Sequence, residues 1–175
     1  MTKQFSTPVP GLYLRFAARD DVPVLLQLIR ELAEFEKLAD QVHADEATLA
    51  EGLFGARKVA EAVIAELEGE PVGFAVFFHN FSTFLGRAGL YLEDLYVKPE
   101  ARGRGVGGWL IRFVARVAVN RKCGRFEWSV LDWNTHALDF YRALGAVAMD
   151  AWTVQRVTGA ALEQLGSYEF PSLPP

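Results

Sequence analysis

Leu95-Tyr-Val-Lys-Pro-Glu-Ala-Arg102-Gly-Arg-Gly-Val-Gly-Gly108 is the stretch from which the rest of the chain can be placed. Leu90 to Val97 is an apolar, β-prone run, and Trp109, Leu110, Phe113, Val114 and Val117 follow at helical spacing, so a strand turns through glycines into a helix. Glycine lets backbone approach an anion closely, with several N–H groups aimed into one small space. The positive end of the helix macrodipole strengthens that attraction. Arg102 and Arg104 add charge, so Arg102, Gly103, Arg104, Gly105, Val106, Gly107 and Gly108 are expected to cradle a pyrophosphate.

Two other readings compete. One is a plain turn whose glycines serve geometry alone. The other is a nicotinamide-dinucleotide site, because Gly103-x-Gly105-x-x-Gly108 has the dinucleotide-binding spacing and Glu127 falls near the position of a ribose-binding acid. Against the second, five residues including Pro99 separate the strand end from the first glycine. The loop also lies past the middle of the chain, leaving too little for a doubly wound domain.

Upstream, Tyr13–Phe16 reads as a strand, with Asp20 and Asp21 at a helix N-cap and Pro23 in the first turn. Val24, Leu25, Leu28, Ile29, Leu32 and Phe35 continue that helix to about Leu38, and a shorter one starts at His43-Ala-Asp-Glu46 and runs through Thr48 and Leu49 to about Phe54. Val59–Leu67 and Pro71–Phe78 form a hairpin around Glu68-Gly69-Glu70. Downstream, Arg125–Leu131 reads as a strand, Thr135–Leu144 as a helix and Trp152–Val157 as a last strand. The expectation is one mixed α/β domain over 1–175, with 1–11 and 166–175 as flexible ends.

Composition agrees with a globular chain: 175 residues, 51% hydrophobic and 23% charged. A net charge of -4 argues against nucleic acid or an anionic membrane as partner, and suits a cationic small molecule. One cysteine, Cys123, allows no internal disulfide, and no apolar run approaches the ~20 residues that span a bilayer. Met1–Gly11 lacks the apolar core of a signal peptide, so the cytoplasm is the expected location. Cys123, His43, His79 and His136 show no ligand spacing, and no metal is expected.

Several motifs in order resemble the GNAT N-acetyltransferases, and most closely their spermidine/spermine and thialysine branch. The carriers are Ile29-Arg-Glu-Leu-Ala-Glu-Phe-Glu36, Tyr91-Leu-Glu-Asp-Leu-Tyr-Val97, Arg102-x-x-Gly105-x-Gly107, Val130-Leu-Asp-Trp-Asn134 and Phe140-Tyr141-x-x-x-Gly145-Ala146. The likeness spans Tyr13 to about Leu165. It implies a mostly antiparallel sheet of about six or seven strands, splayed at the cofactor and flanked by helices. It also implies acetyl-CoA as acyl donor, a primary amine of a small molecule as acceptor, and a homodimer. Pantetheine would lie along the main chain of Leu95, Tyr96 and Val97, and Asn134 would contact it unless it is only a helix N-cap. A catalytically idle CoA-binding module stays open as a different class.

In that resemblance Tyr141 is the general acid. It lies seven residues from Asn134, about two helical turns, on the same face. A phenol of ordinary pKa near 10 is protonated at neutral pH and can donate; packing beside Phe140 is the plainer role. Glu93 is the candidate base. Strand alternation would put Tyr91, Glu93 and Leu95 on one face and Leu92, Asp94 and Tyr96 on the other, leaving Asp94 a structural role. Phe35 and Glu36 resemble the amine-binding lip, where Glu31 and Glu34 either attract a cation or are simply solvated. Glu127, Trp128 and Ser129 match the far side of the substrate channel, with Trp128 either a cation–π wall or a core residue. Thr83 stands where the polyamine enzymes carry an acid, which favours short diamines or amino acids with a side-chain amine.

Overall fold

The computed structural model describes residues 3–167. Six strands form one sheet in chain order: β1 (Gln4–Ser6), β2 (Leu12–Phe16), β3 (Glu61–Leu67), β4 (Glu70–Ser82), β5 (Arg87–Val97) and β6 (Phe126–Trp128). Neighbours are antiparallel except β5 and β6, which run parallel and are bridged by the crossover helix α3 (Val106–Asn120). The mixed α/β class expected from the sequence is the one observed. Gln4–Ser6, within a segment expected to be a loose end, is the edge strand β1. Residues 168–175 of the other expected loose end lie outside the described residues.

The chain divides into two compact units between Ser129 and Val130. In the first, α3 covers one sheet face through Val106, Leu110, Val114 and Val117, packed on Leu12, Leu14, Val63, Ala65, Phe77, Leu90 and Leu92. The opposite face carries α1 (Val22–Glu36) and α2 (Glu46–Phe54), whose Leu25, Leu28, Leu32 and Leu53 meet Ala62, Ile64, Phe74 and Tyr96. Strand β3 is therefore buried on both faces, which is why its sequence is a continuous apolar run rather than an alternation.

Local chemistry sets the element ends. Asp45 caps α2, its carboxylate accepting from Thr48 N at 2.8 Å. Asp21 does not cap α1; its carboxylate turns back to Ala18 N and to Arg15 instead. Glu68 and Gly69, at φ 55° and 90°, make the tight β3–β4 turn expected from the sequence.

The second unit holds α4 (Thr135–Ala143) and α5 (Gly159–Leu165). Helix α4 stops because Gly145 takes φ 87°, with Ala146 N donating to Tyr141 O and Gly145 N to Arg142 O, a Schellman closure. Two strand expectations are corrected. Trp152–Val157 form no strand, since no described segment pairs with them and alternation alone satisfies no backbone group. Strand β6 spans three residues rather than the expected Arg125–Leu131; its pairing with β5 ends at Leu92↔Trp128, next to the register shift at Glu93. Among the described residues no helix is long and apolar enough to cross a membrane.

Candidate active site

Strand β5 governs the geometry. Its register with β4 runs Val76↔Asp94 and then Phe77↔Leu92, so Glu93 is an extra residue, a β-bulge. The expected alternation fails at that point. Leu90 and Leu92 before the bulge, and Leu95 and Val97 after it, all pack on the α3 side, while Tyr96 packs on the α1 side. Asp94 therefore shares Tyr96's face, toward the C-terminal end of α1, rather than facing a purely structural layer.

The bulge coincides with the end of the β5–β6 ladder. Strand β6 pairs with Leu90, Tyr91 and Leu92 and no further. On that side the main chain of Leu95, Tyr96 and Val97 meets no described strand, and an edge of donors and acceptors opens.

That edge runs into the glycine loop. After a short 3-10 turn at Pro99–Ala101, Gly103 has φ 74° and Gly105 has φ 81°, conformations that need glycine. A Cβ on Gly103 would meet nothing within 4 Å, so the loop surface there is open. Gly105 is the N-cap of α3 and offers no side chain, so it supplies no capping acceptor to the first-turn N–H groups of Val106, Gly107 and Gly108.

The two loop arginines face elsewhere. The Arg102 guanidinium lies over the rings of Phe35 (4.8 Å) and Tyr96 (5.7 Å), while its Nε donates to Val97 O at 2.9 Å. Arg104 pairs with Glu68 at 3.1 Å on the surface. Arg102 thus joins the loop to the α1 residue Phe35 beside Glu36.

Three carboxylates gather beyond it. Burial, then the charges of Glu93 and Glu36, push Asp94 up to about 6. Burial also raises Glu36, the last residue of α1. Burial, then the nearby Glu31 charge, holds the Tyr96 phenol above its ordinary range. The carboxyl pushed furthest is thus Asp94, which a reading of the strand alone sets aside because the bulge is invisible without the partner strand.

The far side of the same face is polar. Glu127 pairs with Tyr91 in the ladder, Ser129 lies 2.7 Å from the Tyr91 hydroxyl, and Trp128 points the other way into the α3-side core beside Phe126. Thr83 sits in the exposed β4–β5 turn, beyond Arg87 and roughly 20 Å along the strand from Glu93 at 3.4 Å per residue, so it is not brought to the carboxylates.

In the second unit Asn134 caps α4, its Oδ1 accepting from Ala137 N at 3.2 Å and leaving its amide N–H groups for another partner. Tyr141 is half-buried on α4, its ring 5.2 Å from that of Phe140.

Comparison with known proteins agrees with this architecture. The acetyltransferase (GNAT) family profile matches residues 26–146. A thialysine N-epsilon-acetyltransferase of Bos taurus is 42% identical over 87% of this chain and 95% of its own length. An L-ornithine N5-acetyltransferase of Arabidopsis thaliana is 30% identical over 87% of this chain and 86% of its own. An integron cassette protein of V. cholerae, of known structure, superposes with a TM-score of 0.74 at 25% identity, covering 90% of this chain and 99% of that one. The nicotinamide reading and the idle module both give way to these relatives. The chain belongs to the acetyltransferase (GNAT) family and is an N-acetyltransferase.

Proposed function

We propose that the enzyme transfers the acetyl group of acetyl-CoA directly to a primary amine of a small molecule: a short diamine, a polyamine or an amino acid with a side-chain amine. The observation that carries this reading is the open β5 edge at Leu95–Val97 leading into the N-terminus of α3, which no side chain of Gly105 caps. The edge offers main-chain partners to a pantetheine amide chain. The loop from Gly103 to Gly108 offers N–H groups and dipole to a pyrophosphate. Bound acetyl-CoA would supply the activated thioester carbonyl.

The chain's own residues do the rest. Glu93, the bulged residue, takes the ammonium proton directly or through a water, with Asp94 beside it as a second carboxyl poised near neutrality. A β5 N–H donates to the carbonyl oxygen as it gains charge. Asn134 holds the pantetheine arm through its amide N–H groups, and Tyr141 donates the proton to the departing thiolate. These two roles rest on the family resemblance. Phe35, Glu36 and Glu127 border the amine's path, and the carboxylates favour a cation. The relatives that act on thialysine and ornithine support the amine class. The same resemblance leads us to propose a cytoplasmic homodimer, which light scattering at a single-chain mass would refute.

Thermal melting with acetyl-CoA, CoA, NAD and NADP tests the reading. A ligand at a hundred times its Kd adds about 2.7 kcal/mol of stability. A shift with acetyl-CoA alone of the two cofactor classes is expected; a shift with NAD or NADP in its place would overturn the loop assignment.

A further inference from the structure

Past Glu93 and Asp94, the open face of β4, β5 and β6 ends in a cluster around Glu127 whose other members the proton transfers do not use. Asn80 Nδ2 donates to Glu127 Oε2 at 2.8 Å, and Arg125 Nε lies 2.8 Å from the same carboxylate oxygen. Asn80 Oδ1 is buried with no hydrogen-bond partner among the described residues. Both side chains cross the strand at Gly89, where a Cβ would collide with Asn80 Oδ1 and the Arg125 side chain. A glycine inside a strand marks such a close approach. Tyr91 and Ser129 add two hydroxyls next to it, 2.7 Å apart.

The charges are matched within the cluster. Glu127 is the one ion-pair partner of Arg125 among the described residues, 2.8 Å from Nε, yet the buried Nε makes no hydrogen bond, and the guanidinium keeps its donors for a further acceptor. Both side chains are about one-third exposed, Arg125 at 37% and Glu127 at 36%. A dication would meet Arg125 with repulsion. A zwitterion would find a guanidinium for its carboxylate and a carboxylate for its ammonium.

Length agrees as well. Glu127 stands opposite Tyr91, two residues before Glu93, or about 7 Å along the strand. The five bonds between a lysine-like amine and its Cα, each about 1.5 Å, span roughly 6 Å when extended. An amine placed at Glu93 would therefore bring its own amino-acid head to this cluster.

We propose that Arg125, with Glu127 and Asn80, receives the α-amino-acid head of the acceptor, so that the enzyme prefers an amino acid bearing a side-chain amine over the diamine of the same length. This deepens the acetyltransfer proposed above and rests on it. In this arrangement Arg125 is a specificity-determining residue.

The test compares kcat/KM for three acceptors of equal reach: thialysine, its methyl ester, and the diamine left by removing its carboxyl group, bis(2-aminoethyl) sulfide. Wild type should favour thialysine over the other two by at least about tenfold, the value of one charge-assisted contact near 1.4 kcal/mol. Arg125→Ala should invert the order, because Glu127 is freed to attract the diamine while the carboxylate loses its partner. Arg125→Lys should restore part of the preference, which a merely structural role for the arginine would not. Equal rates for thialysine and its ester in wild type would overturn the proposal with no variant needed. So would a thialysine-to-diamine ratio unmoved by Arg125→Ala. Absence of acetyl transfer to any of the three, with acetyl-CoA also failing to shift the melt, would instead sink the underlying acetyltransfer reading.

Discussion

Replacing Asp94 by asparagine should stabilise the protein, and by an amount that depends on pH. No cation lowers Asp94 among the described residues, while burial and the charges of Glu93 and Glu36 raise it from 3.8 to about 6. Between those values the folded state binds more protons than the unfolded chain, so this group's contribution is fully present below pH ~4 and is lost as pH rises through ~6. Two pH units at 1.36 kcal/mol each make the ionised carboxylate cost about 3 kcal/mol at pH 8. An asparagine side chain carries no such charge. The difference between Asp94→Asn and wild type should therefore grow from near zero at pH 4 to about 3 kcal/mol at pH 8, or roughly 6–12 °C in Tm for a chain of this length. Urea denaturation at several pH values measures that difference directly and cancels the other titrating groups. A variant difference that stays constant with pH, or one that turns destabilising at pH 8, would refute the account of Asp94 as a half-buried carboxyl raised by its neighbours.

Other substitutions probe separate parts. Tyr141→Phe should lower kcat by about a hundredfold with acetyl-CoA affinity kept, as stopped-time assays and calorimetry would show, and an unchanged kcat would remove it as the acid. Gly105→Asp forces a carboxylate, at a φ of 81° that strains it, beside the first-turn N–H groups of α3 where it repels a pyrophosphate, so a folded variant should give no melt shift with acetyl-CoA; normal binding would refute the cradle. Glu93→Gln should flatten the rise of kcat/KM with pH, and a profile identical to wild type would point to another base. Asp45→Ala should lower the urea midpoint through loss of the α2 cap, with no change in kcat, and an unmoved midpoint would show that the Thr48 contact contributes nothing.

Much of this arrangement can be read without coordinates, because it is encoded over short distances. The strand–glycine–helix passage from Leu95 to Gly108, the Asn134 cap and the Gly145 stop depend on residues within a turn or two of each other. Backbone conformations that demand glycine, and helix ends that demand a cap, are local matters. Helices α1 and α3 follow their apolar spacing for the same reason. Strand β1 and helix α5 escape such a reading; three residues of β1 carry no periodic signal, and their place in the sheet comes from pairing with β2.

The remaining features arise only when distant segments meet. The Glu93 bulge exists only relative to β4, so no reading of β5 alone could tell that Leu92 and Leu95 share a face or that Asp94 looks toward Glu36. Strand β6 stops where its ladder with β5 meets the Glu93 bulge, and Trp152–Val157 stay irregular because a strand needs a neighbour to satisfy its backbone. Arg125 and Asn80 meet across Gly89 through strands far apart in the chain. The family's motifs, the phosphate-type loop and the amphipathic helices are each written in neighbouring residues, and the chain's order of amino acids suffices to find them. Which carboxylate is pushed toward its neutral form, which face a side chain takes and what Arg125 can recognise follow from strand register, because a one-residue shift in pairing reverses every side chain beyond it.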